Sequence, residues 1–445
     1  MMATMQESLK MPPSGTGRER MILALAVLLA VSMALYVRWV MIPIEEARYA
    51  AAGRAMDIGD LYPRWHGTRE LLFHGRDPYG ADISREIQKV YYGHALDLAG
   101  ADKGKDEQRF AYPVYVVFYL APTVRMDFST VQWVLRWTLG ILTVLSVPLW
   151  LRALGWRPSW HVLLTIILLT LGSPALVQGL RLQQLALLVA FLLAWCAALI
   201  ARGRLFWAGC LLAGATIKPQ LVLLPVIWLL VWATGDWKNR QKIVWGFAGM
   251  MALLMGAGQI LLPGWLGEFV RGLFAYSHYA GMSLMLEMYL PHGVARVLAG
   301  VMVGVLLLCF WRWRFDAAES SIFFVRFALV LAVGIIALPP LLPPFNQVFL
   351  LAGVLVVLRR WDVLWQRGWV MRAVCCCGIA ALTWAGITAG VLAATHVLAP
   401  QVSLEAYWDW PFRMCFLLPP IVGGLLAVLA RDLPPRHEAN EVAQA

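Results

Sequence analysis

Asp57 and Asp60 stand three residues apart, a spacing that puts both on one face if the segment is helical. They open the stretch DIGDLYPRWHGTRELLFHGRDPYG, residues 57–80, which carries four carboxylates and two histidines in a chain that is 60% hydrophobic. The stretch follows an apolar run long enough to cross a bilayer. A carboxylate in that position can act as a general base when burial keeps its pKa in a useful range. Helix capping and a solvated loop are the competing roles for such an acid. Glu70 and Asp77 read as structural, since Asp77 lies in GRDPYG, a turn sequence.

Isolated cations are the second signal. Most short loops on the side of Asp60 are nearly free of Lys and Arg, so the exceptions matter: Arg181 in QGLRLQQ, Lys218 in TIKPQ, Arg271, Arg296 and Arg413. A cation close to hydrocarbon is costly and usually has an anionic partner. Pro219 suits the first position of a helix, so Lys218 would sit beside free N–H groups, a favourable place for phosphate. Snorkelling to lipid headgroups is the alternative for these side chains. His278 and His292 flank SHYAGMSLMLEMYLPHG; together they could bind a phosphate or steer a hydroxyl. No HExxH, DxD or Cys–His spacing suggests a metal, and no P-loop or dinucleotide fingerprint suggests a nucleotide, so no cofactor is expected. The seven cysteines fall inside apolar segments and read as small packing residues.

The elements that must hold these residues are membrane helices. Mean hydropathy is +0.67 and charged residues make up only 14% of the chain, far outside the soluble range. The net charge of +11 then marks one set of loops rather than nucleic-acid binding. Spans are expected at about 21–43, 129–151, 158–177, 185–201, 205–217, 221–234, 243–262, 293–311, 321–341, 346–358, 370–397 and 412–430. AYPVYVVFYLAPT (111–123) is short for a crossing and has prolines near both ends. Reading it as an interfacial helix places the Arg/Lys loops after the even-numbered spans on the side of the basic N-terminus, as the positive-inside rule demands. The fold class is therefore an all-α polytopic membrane protein with about 12 transmembrane helices. Residues 1–20 form a cytoplasmic tail, 21–430 one transmembrane domain and 431–445 a second cytoplasmic tail. Residues 44–128 form a large first external loop with amphipathic helices. That loop holds half of the chain's acidic residues and three of its eight histidines.

The order of several motifs resembles glycosyltransferase family 87. These are DLYPRWHGTRELLFHGRDPYG, AYPVYVVFYLAP, QGLRLQQLALLVAFLL, GRLFWAGCLLAGATIKPQLVLLP and LPPLLPPFNQVFLL, spread over roughly residues 20–360. The family has a GT-C-type fold and includes polyprenol-phosphate-mannose-dependent mannosyltransferases. The resemblance implies a polyprenyl-phosphate sugar as donor, mannose favoured, and a lipid or glycan acceptor whose hydroxyl is deprotonated by Asp60. The family's usual G-Q element reads Gln183-Gln184 here, and Asn346-Gln347 occupy the late polar pair. Departing phosphate develops negative charge that fixed cations stabilise. Arg181, Lys218, His292 and Arg296 are the expected phosphate ligands. Asp57, Tyr62, His66, Tyr112, Gln184, Gln220, His278 and Asn346 are expected to contact substrate. A bacterial inner membrane with the site on its external face is the expected location. A transporter or lipid flippase is the alternative, but little charge lies at mid-span and no internal repeat is evident.

Overall fold

A computed structural model describes residues 16–51, 58–279, 284–318, 320–338 and 343–432, with side chains from residue 17 and excluding those of 276–279. Among these residues the chain is helical, without strands. The first helix, α1 (Gly17–Ala51), is followed by two short helices, α2 (Tyr62–His74) and α3 (Ala81–Tyr92). Next come α4 (Val114–Thr123), α5 (Phe128–Ala153), α6 (Trp160–Leu171), α7 (Pro174–Arg181) and α8 (Ala186–Ile200). The bundle continues through α9 (Leu205–Ile217), α10 (Pro219–Thr234), α11 (Trp237–Leu261), α12 (Trp265–Tyr279) and α13 (His292–Trp313). It ends with α14 (Ser321–Ala337), α15 (Pro344–Arg359), α16 (Trp361–Trp365), α17 (Trp369–Leu398) and α18 (Trp410–Arg431).

Helices lie over all twelve expected segments, but they fall into two classes. Six of them (α1, α5, α11, α13, α17 and α18) are long and apolar enough to cross a membrane, which makes this a multi-pass membrane protein. The expected span 158–177 is instead the pair α6–α7, bent by 51°. The cause is local: Gly172 ends α6, the Ser173 hydroxyl caps the Leu176 N–H at 3.2 Å, and Pro174 starts α7. The remaining expected spans are shorter helices. The 15 residues of α8 rise about 22 Å, less than a hydrocarbon core of about 30 Å.

One other expectation changes. The first helix does not stop near residue 43; it runs on to Ala51, with a wider five-residue turn at Val37–Met41. Glu45 is thereby carried on a rigid helix rather than a loop. The segment 111–123 packs against the bundle over its first turn. Val114, Tyr115, Val116 and Val117 are all buried. The Tyr119 hydroxyl donates to the Gly214 carbonyl at 3.0 Å and Tyr115 to that of Thr216 at 3.1 Å. These carbonyls lie at the end of α9, so the α4 tyrosines help to cap it.

Packing is close where small residues meet. α9 and α11 approach so tightly at Gly209 and Gly246 that a methyl group at either would strike the other helix's backbone, at the Ile243 and Phe206 carbonyls respectively. α5 packs on α8, and α1 on α17. α3 is strongly amphipathic and buries Ile83 and Ile87, four residues apart.

Candidate functional site

Asp60 lies in the turn before α2, where Leu61 and Pro63 start the helix. Its backbone N–H donates to the Leu182 carbonyl at 3.1 Å, which ties the turn to the end of α7. Gly59 has φ +58°, and a Cβ there would stand 2.6 Å from Gln183 Oε1, so glycine is required on both counts. Gln183 itself has φ +46°, an unusual value for a residue with a side chain, and its amide donates to the Leu180 carbonyl at 3.0 Å.

The side chain of Asp60 is held by Gln184, whose Nε2 donates to Oδ2. The Gln184 carbonyl oxygen in turn accepts from Lys218 Nζ at 2.6 Å. Gln184 and Lys218 are both buried. Arg64, one turn along α2, donates to the Asp60 carbonyl at 2.5 Å, and its guanidinium lies 4.7 Å from the centre of the Tyr112 ring. Lys218 Nζ faces the same ring at 5.8 Å and the Phe345 ring at 5.1 Å. Burial pushes the Asp60 carboxyl above the usual carboxylate range, against the pull of Arg64 and Lys218. Burial and neighbouring Arg64 bring Lys218 down to about 7, although Asp60 favours its charged form. An acid and a base have thus been shifted toward one another at a single place.

Asp60 borders a cleft of about 150 Å³ also lined by Tyr49, Gly59, Tyr91, Tyr92 and Gln108. The Tyr91 hydroxyl donates to the Gly59 carbonyl. The cleft therefore offers aromatic faces and hydroxyls beside a carboxylate.

The structure brings together Asp60, Tyr112, Gln184 and Lys218, with Asn346 next to Phe345. Asn346 is buried and its Oδ1 has no hydrogen-bond partner among the described residues. Gln220 is half-buried in the first turn of α10, two residues from Lys218. Tyr62 and His66 lie on α2, their rings stacked 5.5 Å apart. His66 Nε2 is 3.0 Å from Glu86 Oε2, in an acidic network around Arg76 that also takes in Glu70 and Asp82. Asp77 makes the expected turn, accepting from the Tyr79 N–H at 2.9 Å.

Three expected phosphate ligands are engaged elsewhere. Arg181 pairs with Glu45 on the extended α1, and both side chains are largely buried. His292 and Arg296 converge on Glu287, at 2.9 and 3.3 Å, with their own side chains more than half exposed. A carboxylate already meets Arg181 and Arg296, which satisfies the charge that the sequence leaves unassigned. Asp57 lies outside the described residues, as does the side chain of His278. Arg64 is the site residue that sequence reasoning passed over. Its signal was the four-residue spacing from Asp60, which places it one turn further along.

No curated protein matches the chain. The family model for glycosyltransferase family 87 matches residues 110–339, just over half of the chain; Tyr112, Gln184 and Lys218 fall within the match, and Asp60 precedes it. On that match, in an all-helical membrane protein, the chain belongs to glycosyltransferase family 87.

Proposed function

We propose that the chain transfers a hexose, mannose favoured, from a polyprenyl-phosphate donor to a hydroxyl of a lipid or glycan acceptor. The reading is carried by one observation: Asp60 borders a cleft while Gln184 links its carboxylate to the buried Lys218. Asp60 takes the proton of the acceptor hydroxyl. The acceptor oxygen attacks the anomeric carbon, and the bond to phosphate breaks with its electron pair going to the leaving polyprenyl phosphate. One displacement inverts the anomeric centre. A phosphate leaving group needs no strong general acid, so a single carboxylate suffices, unlike the paired acids of glycosidases.

Lys218 and Arg64 are the cations best placed to meet the developing negative charge. The start of α10 beside Lys218 adds backbone N–H groups suited to a phosphate. Asn346 and Gln220 would supply hydrogen-bonding groups, and Tyr62, His66 and Tyr112 aromatic and imidazole groups, to the substrate. A lipid-linked donor accounts for a polar site built on membrane helices, because the prenyl tail stays in the bilayer. The location that fits is the external face of a bacterial inner membrane.

The test is direct. Purified protein is incubated with labelled polyprenyl-phosphate sugars and a lipid extract, and products are analysed for a new glycosylated species. Transfer from a polyprenyl-phosphate sugar supports the reading; transfer only from a soluble nucleotide sugar would refute it.

A further inference from the structure

At the end of the bundle away from Asp60, four helices deliver groups to one cavity. α5 starts beside the site, where Phe128 packs on Tyr62 at 4.9 Å, and its 26 residues rise about 39 Å before ending at Ala153. α8 starts beside Gln184 and ends next to Ala201. α14 begins there at Ser321, and α15 ends there at Arg359. The cavity measures about 280 Å³, and its lining includes Arg152, Ala201, Ser320, Ser321, Phe324 and Arg359. That is room for about nine waters at ~30 Å³ each, ample for a phosphate group with part of its shell.

The lining contains two guanidiniums and two hydroxyls but no carboxylate. Among the described residues, neither Arg152 nor Arg359 has an ion-pair partner. Asp316, close in sequence, is committed to Arg326. Arg360 donates to Ser321 Oγ at 3.0 Å and brings a third guanidinium to the same place. Ser320 Oγ accepts from the Phe323 N–H at 3.3 Å and donates to the Ala317 carbonyl at 2.6 Å, so the start of α14 is capped internally. Phe324, buried, supplies an apolar wall that strengthens any charge–charge attraction in the cavity. Arginines gathered without an acid repel one another, and an anion with several acceptor oxygens relieves that repulsion through their planar forks.

We propose that this cavity binds a phosphate group, held by the Arg152 and Arg359 guanidiniums and the Ser321 hydroxyl. The phosphate belongs either to the headgroup of an anionic lipid in the adjoining leaflet or to a small soluble phosphate; the chemistry recognised is the same. This site is separate from the transfer reaction and does not depend on it.

Full-length protein is used in both arms of the test. In one, thermal unfolding is followed in nanodiscs of phosphatidylcholine alone and of phosphatidylcholine with phosphatidylglycerol. In the other, lipid-free detergent-solubilised protein is titrated with inorganic phosphate against chloride at equal ionic strength. A stabilisation by phosphatidylglycerol alone identifies the headgroup, and one by inorganic phosphate identifies a soluble ligand. In either case Arg152→Gln and Arg359→Gln should each weaken the apparent affinity roughly tenfold, and the double variant should lose the response. If the double variant does not fold, Arg359→Gln alone carries the comparison. Flat responses in both arms, or a response that the variants keep unchanged, overturn the proposal.

Discussion

The Gln184 amide donates to the Asp60 carboxylate across 124 residues of sequence. Gln184 also accepts from Lys218, so one neutral side chain stands between an acid and a base that would otherwise face each other directly. A direct Lys–Asp pair would hold the carboxylate ionised but tightly bound. The intervening amide keeps Lys218 from pairing directly with the carboxylate, and Asp60 borders the cleft.

Asp60→Asn keeps size and removes the base. Turnover should fall about 10²- to 10⁴-fold with donor affinity little changed. Steady-state kinetics with separate donor binding measurements check this; an unaltered kcat would remove Asp60 from the reaction.

The pH profile should be bell-shaped and displaced from ordinary carboxylate and amine values. In the proposed reaction Asp60 acts as its deprotonated form, and its pKa is raised, so the acid limb should lie at higher pH than for a free aspartate. In the same reaction Lys218 acts as its protonated form, and its pKa is lowered to about 7, so activity should decline as pH rises through that value. Lys218→Arg stays charged throughout, and the alkaline limb should move to higher pH in kcat/KM profiles.

Gln184→Glu places a second carboxylate against Asp60. Like charges raise the pKa of the pair, so the acid limb should move further up in pH. Gln184→Leu should lower activity at every pH, because it leaves Lys218 and Asp60 buried without the group that joins them. An acid limb that stays in place in Gln184→Glu would mean that Asp60 does not set it.

Arg181 is expected to behave as the partner of Glu45. Breaking a buried pair from one side costs about 3–5 kcal/mol. Arg181→Gln and Glu45→Gln should each lower stability substantially, and the double variant should lose less than the sum. Thermal unfolding supplies the cycle. A raised donor KM in Arg181→Gln with unchanged stability would instead return Arg181 to the phosphate.

Gly59→Ala should destabilise by about 1 kcal/mol or more, since alanine resists a φ of +58° and its methyl group would crowd Gln183. The shift of the Asp60 turn should also reduce turnover, which separates it from glycines in remote loops.

Much of this molecule is legible without coordinates. Long apolar runs require membrane helices because hydrocarbon leaves backbone polar groups no other partner. Every expected segment does carry a helix, and the family resemblance read from motif order agrees with the match over residues 110–339. Asp60 and Lys218 stand out by residue type and position, and Gln184 by the family resemblance. What the chain could not reveal was pairing. Composition and periodicity are local, whereas the choice of partner for a buried charge depends on which helix ends are packed side by side. α1 continues to Ala51 and so gives Glu45 to Arg181, the α6–α7 bend brings Gln184 to Asp60, and α4 sets its tyrosine hydroxyls on the carbonyls at the end of α9. Those outcomes follow from desolvation: a cation or a free carbonyl inside the bundle takes the nearest group that satisfies it, and only the tertiary packing decides which group is nearest.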